Sequence, residues 1–131
     1  YLGYGPHESY IDTKNLMDKG EFEMDYLEMF TNYIKPQECG SRFGTEYFDL
    51  AGKNSGISVT AQEQFSFSIL PYSWETLMKT AHNYELPQSD GVYISVDLAM
   101  AGVGSNSCGP ELMEKYHVPK AGKNRFIIKF S

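Results

Sequence analysis

Between Arg42 and Ile69 the chain alternates large apolar and polar side chains with a period of two, interrupted by Gly52-Lys53-Asn54-Ser55-Gly56. Only an extended strand sends every second residue to the same face. Phe43, Thr45 and Tyr47, then Ile57, Val59 and Ala61, then Phe65, Phe67 and Ile69 therefore read as meander strands. The glycine-flanked polar run supplies a hairpin loop between the first two. A chain with this much antiparallel pattern is committed to a mainly β fold.

The flanking segments fit that frame. Tyr1 to Tyr4 is a strand-like entry stopped at Gly5-Pro6, because proline donates nothing to a ladder. Thr13 to Phe30 mixes both periods, and a strand is expected near Phe22. Pro36 and Gly40 bracket a loop in which Glu38 and Arg42 are expected to pair locally. Ser73 stands at the N-cap of a helix running from Trp74 to His82, with Leu77, Ala81 and Tyr84 on one face. Glu75 near its start and Lys79 and His82 near its end suit the helix dipole, so His82 reads as a terminal charge rather than a ligand. Pro87 to Gly91 forms a turn. Val92, Ile94, Val96 and Leu98 then make an apolar face opposite Tyr93, Ser95 and Asp97. Leu112 to Pro119 is irregular, and Phe126, Ile128 and Phe130 close the chain as a strand. Several strands, one short helix and frequent turns predict an antiparallel β-sandwich.

At 131 residues the chain fits a single domain, 1–131. Its 41% hydrophobic and 15% aromatic content is too apolar for a disordered segment. Seventeen acidic residues against eleven scattered basic ones, a net charge of −6, argue against a nucleic-acid surface, which needs clustered Lys and Arg. No run of about 20 apolar residues is present, so no membrane span is expected. Cys39 and Cys108 lie in separate glycine-containing loops without CxxC spacing and read as free thiols rather than a zinc or redox site. The chain starts at Tyr1 without an initiating Met or the layout of a signal peptide, which suggests a piece of something longer.

The best candidate for a working loop is Gly102-Val103-Gly104-Ser105-Asn106-Ser107-Cys108-Gly109-Pro110. It follows the Val92–Leu98 pattern, and residues so small cannot build a core; such a segment is kept for its backbone shape or for what its tip touches. His7, Glu8 and Asp12 cluster in a polar turn, where hydrogen bonding at the sheet edge is the expected role. Tyr1, Tyr4, Tyr10 and Trp74 serve either the core or, if exposed, sugar stacking.

Ordered motifs run along the chain: Gly3-x-Gly5-Pro6-x-Glu8-x-Tyr10-x-Asp12, Tyr33-Ile34-x-Pro36-Gln37-Glu38-x-Gly40-x-Arg42, Phe65-x-Phe67-Ser68 with Tyr72-Ser73, and Asp97 followed by Gly102-Val103-Gly104. Together they resemble, nearly end to end, the C-terminal β-sandwich (a supersandwich-like, small-chain region) of the large bacterial lacZ-type β-galactosidases. The resemblance implies the C-terminal part of a retaining glycoside hydrolase acting on terminal β-galactosides such as lactose. It also implies that the catalytic carboxylates sit in a central barrel absent from this chain. No catalytic residue is then expected here, and the fragment alone should be inactive. The Gly102–Pro110 loop would edge the substrate pocket through Asn106, Ser107 and Cys108. Cys108 stands where many relatives carry a sugar-stacking Trp, so the contribution would be polar or one of shape.

The implied partners are the galactoside substrate and the remainder of the enzyme, whether one polypeptide or a large subunit, in a homo-oligomer of a bacterial cytoplasm or periplasm. No cofactor is expected in the fragment, and Mg and Na would belong to the barrel. The alternatives are a non-catalytic carbohydrate-binding or scaffolding sandwich, and a free-standing hydrolase using Glu8 with Glu38 or Asp12.

Overall fold

The computed structural model describes residues 1–104, 109–118 and 126–131. Its strands are β1 (Leu2–Gly5), β2 (Asp18–Glu21), β3 (Arg42–Ala51), β4 (Gly56–Leu70), β5 (Tyr93–Asp97) and β6 (Ile128–Phe130). They form one antiparallel sheet in the order β2-β1-β3-β4-β5, with β6 beside the first half of β4 on the edge that β5 shares. The class is therefore mainly antiparallel β with, among the described residues, a single short α-helix, α1 (Trp74–Lys79). No helix among the described residues is long and apolar enough to cross a membrane.

The β3–β4 hairpin is the spine. Leu50 pairs with Ile57 and Ala51 with Gly56, and the Gly52 amide closes the turn on the Ser55 carbonyl at 2.7 Å. The runs around Val59 and Phe67, expected as separate strands, are one continuous strand. The exposed polar residues Gln62, Glu63 and Gln64 between them sit where the register with β3 shifts, between the Thr45–Phe65 and Tyr47–Thr60 pairs. A bulge absorbs the extra residues while β4 stays extended.

Because residues of equal parity share a face, Val59, Phe65, Phe67 and Ile69 of β4 join Phe48 of β3 in the main core, with Met29 closing over them. Phe48 stacks on Phe67 with ring centroids 4.3 Å apart. Leu70 has the opposite parity and packs on the other side with Cys39 and Leu77 of α1. Cys39 is a free thiol, and burial pushes it up to about 11.

Ser73 caps α1 as the sequence suggests, its hydroxyl accepting the Thr76 amide at 3.2 Å. The helix stops at Lys79, however, and does not reach His82. Thr80 turns its hydroxyl back to the Thr76 carbonyl, Lys35 takes the Met78 and Thr80 carbonyls, and Ile34 binds the Asn83 amide. Thr80 and Lys35 satisfy the last carbonyls, and Ile34 draws the chain away. Tyr84 is consequently 79% exposed instead of sharing a buried face with Leu77. His82 does not sit at the end of α1: it precedes a 3₁₀ turn (Asn83–Glu85), stacks on Tyr84 and lies 3.5 Å from the Glu85 carboxylate. The strand expected near Phe22 is β2, ending one residue earlier, and Phe22 still exchanges both main-chain bonds with Tyr1.

Candidate functional site

The turn after β1 is stitched to three distant segments by its short polar side chains. Ser9 donates its hydroxyl to the Tyr4 carbonyl at 3.0 Å and accepts the Phe43 amide at 2.9 Å, which anchors the turn against the start of β3. Glu8 accepts the Gly40 amide at 2.9 Å, the Thr31 hydroxyl at 3.2 Å and the Tyr33 hydroxyl. Gly40 has φ of 74°, and a Cβ there would run into the Met29 carbonyl, so only glycine brings this amide to the carboxylate.

Asp12 performs the corresponding task for the glycine-rich loop. Its Oδ1 accepts the Val103 amide at 3.2 Å and its Oδ2 the Gly104 amide at 2.7 Å. The Gly102 amide donates to the Tyr116 carbonyl at 3.0 Å, so the near side of the loop is also tied to the 3₁₀ turn Glu114–Tyr116. A Cβ on Gly102 would lie 2.5 Å from Asp12 Cγ; the carboxylate occupies the space a larger residue would need. Asn106, Ser107 and Cys108 lie outside the described residues.

Glu38 does not pair with Arg42, contrary to the expectation from their spacing. The buried guanidinium donates instead to the Gly40 carbonyl at 3.0 Å, the Ser41 carbonyl at 3.3 Å and the Tyr1 hydroxyl at 3.2 Å. The positive φ at Gly40 turns the chain between the two charges, and carbonyls take the place of a carboxylate. Glu38 is left partly buried, with no hydrogen-bond partner on Oε1 among the described residues. Burial, reinforced by the charge of Asp97 and to a lesser extent Glu8, and opposed by the Tyr10 hydroxyl, raises its carboxyl to about 7. Asp97, at the end of β5, is also raised by burial. The sequence carries Asp97 within a motif, but nothing local marks it as the neighbour of Glu38, because the two come together only through the sheet. Tyr10 is only 5% exposed and its hydroxyl is raised above the ordinary phenol range by burial, which removes it as a sugar platform; Trp74, at 43% exposed, remains at the surface.

Chemically, the acceptor positions of Glu8 and Asp12 are committed to amides and hydroxyls. Neither stands as a free nucleophile or base of the kind glycoside hydrolysis needs. One face of the sheet carries a groove over Phe48 and Phe67, and neither Glu8 nor Asp12 nor Glu38 lines it. Among the described residues no group of three or more His, Cys, Asp or Glu is placed to hold a metal ion. What the arrangement does is hold the first residues of the glycine-rich loop, Gly102 to Gly104.

The comparisons with known proteins agree on one family. Residues 1–130 match a family model described as beta galactosidase small chain. The chain is 40% identical, over 99% of its length, to a beta-galactosidase of Actinobacillus pleuropneumoniae, and 37% identical over 100% of its length to one of Staphylococcus xylosus. A beta-galactosidase of Streptococcus thermophilus is 38% identical over 81% of the chain. The matched part is 12%, 13% and 10% of those three proteins, so the chain spans only about an eighth of the length of the relatives it resembles.

Proposed function

Because the chain belongs to the β-galactosidase small-chain family, we propose that it is a non-catalytic C-terminal β domain of a retaining enzyme that hydrolyses terminal β-galactosides such as lactose. In this reading the acid and the nucleophile, with any Mg or Na, belong to the remainder of the enzyme, and the fragment alone turns over nothing. Its contribution is structural support for that remainder, plus one loop, Gly102 to Pro110, presented at the edge of the substrate pocket. Asn106, Ser107 and Cys108 are the residues proposed to meet the galactoside or its leaving group.

The observation that carries the reading is the Asp12 clamp. A carboxylate accepting two consecutive amides some 90 positions away fixes where the loop leaves the sheet, and a loop that only connected strands would not need that restraint. Replacing Asn106, Ser107 and Cys108 together by Ala in the assembled enzyme tests it. The expected result is a changed preference among leaving groups or acceptors with the fold intact; unchanged preference would remove the loop from the pocket.

A further inference from the structure

One face of the sheet carries a groove of about 680 Å³. Its walls are the half-buried side chains of Tyr1, Phe22, Met24, Tyr26 and Leu50, and its floor is Phe48 and Phe67. Four exposed carboxylates, Glu21, Glu23, Asp25 and Asp49, stand around it, and among the described residues no Lys, Arg or His side chain lines it. Three of them are oriented by neutral donors: Tyr47 donates its hydroxyl to Glu21, Ser58 its hydroxyl to Asp49 and Leu27 its amide to Asp25. These bonds hold the carboxylates in place without cancelling their charge. Two nearby bases have partners of their own, Lys19 in Glu46 at 2.6 Å and Arg42 in main-chain carbonyls beneath Tyr1.

We propose that this groove seats a segment of the remaining β-galactosidase polypeptide carrying an aromatic or aliphatic side chain flanked by Lys. The inference rests on the family reading, which leaves roughly seven-eighths of the relatives' length outside this chain. Apolar walls under an acidic rim call for an apolar anchor with positive flanks. A saccharide fits less well. Stacking on a sugar needs a free ring face, whereas the Tyr1 ring is engaged by Phe22 and by Phe67, each at 5.4 Å, with the Arg42 guanidinium 6.0 Å away.

The test uses the assembled enzyme, this chain together with the rest of the galactosidase. Zero-length carbodiimide coupling followed by mass spectrometry is expected to join Glu23 or Asp49 to a lysine of the remainder. Hydroxyl-radical labelling of Met24 and Tyr26 is expected to be slow and to accelerate about tenfold in the E23K/D49K variant, the change that corresponds to loss of about 1.4 kcal/mol of docking. The E46K variant, outside the groove, should leave labelling unchanged. No coupling, coupling to a second copy of this chain, protection that appears only with added galactoside, or equal labelling in wild type and E23K/D49K would each overturn the proposal. Failure of the family reading looks different: coupling and protection would persist in an assembly that cleaves no galactoside.

Discussion

The Asp12 carboxylate accepts the Gly104 amide at 2.7 Å, joining positions 92 residues apart at the base of the glycine-rich loop. Few contacts in the chain bridge so much sequence with so short a side chain. Replacing Asp12 by Ala should cost about 1 kcal/mol, since the bonds are charge-assisted but open to solvent. Amide exchange at Val103 and Gly104 should then quicken about fivefold, while the β3–β4 ladder stays protected. Asn at this position keeps one acceptor and should retain about half of the effect.

Gly102 tests the same contact from the other side. A Cβ 2.5 Å from Asp12 Cγ cannot be accommodated without moving the loop base. Gly102→Ala should destabilise the chain by about 1–2 kcal/mol, as overpacking does. Combined with Asp12→Ala, which makes room, it should cost less than the sum, a coupling that a double-mutant cycle of unfolding free energies measures.

Glu38 makes stability depend on pH. Its carboxyl is raised in the folded chain to about 7 from an ordinary 4.5, so the native state holds its proton more tightly than the unfolded state. The stabilising contribution is complete below 4.5 and is lost as pH rises through 7. Allowing for partial solvent screening, the change is on the order of 2 kcal/mol. Thermal unfolding between pH 5 and 8 should therefore show a falling midpoint in wild type and a flatter profile in Glu38→Gln. Equal slopes would mean that Glu38 is ionised throughout.

Core and surface should separate sharply. Phe48 is buried, stacks on Phe67 and also meets Phe65, so Phe48→Ala should cost about 3–5 kcal/mol in denaturant titration. The Lys19–Glu46 pair, 2.6 Å apart at the surface, should lose no more than about 0.5 kcal/mol in Lys19→Ala.

The parts of this fold that were legible in the sequence are those set by local chemistry. Alternation from Phe43 to Ile69 with a glycine-bounded loop dictates the hairpin, and Ser73 marks the start of α1. The end of α1 was not legible, because Lys35 and Ile34, far away in sequence, share with Thr80 in deciding it. Spacing alone pairs Arg42 with Glu38; the reversal of the chain at Gly40 gives its donors to carbonyls instead. The run of glycines and small polar residues marks the loop, yet neither the Asp12 clamp nor the Glu38–Asp97 neighbourhood has a local signal. Both are created by the sheet bringing together segments that the sequence separates.

The most direct measurement is hydrolysis of a chromogenic β-galactoside by this chain alone, by the remainder of the enzyme alone, and by the two together. A non-catalytic domain that completes the enzyme predicts turnover only in the complete sample, with the groove and the Gly102–Pro110 loop as the next targets for substitution. Turnover by this chain alone would contradict the account and return Glu8, Asp12 and Glu38 to consideration as catalytic carboxylates; full turnover by the remainder alone would contradict it as surely.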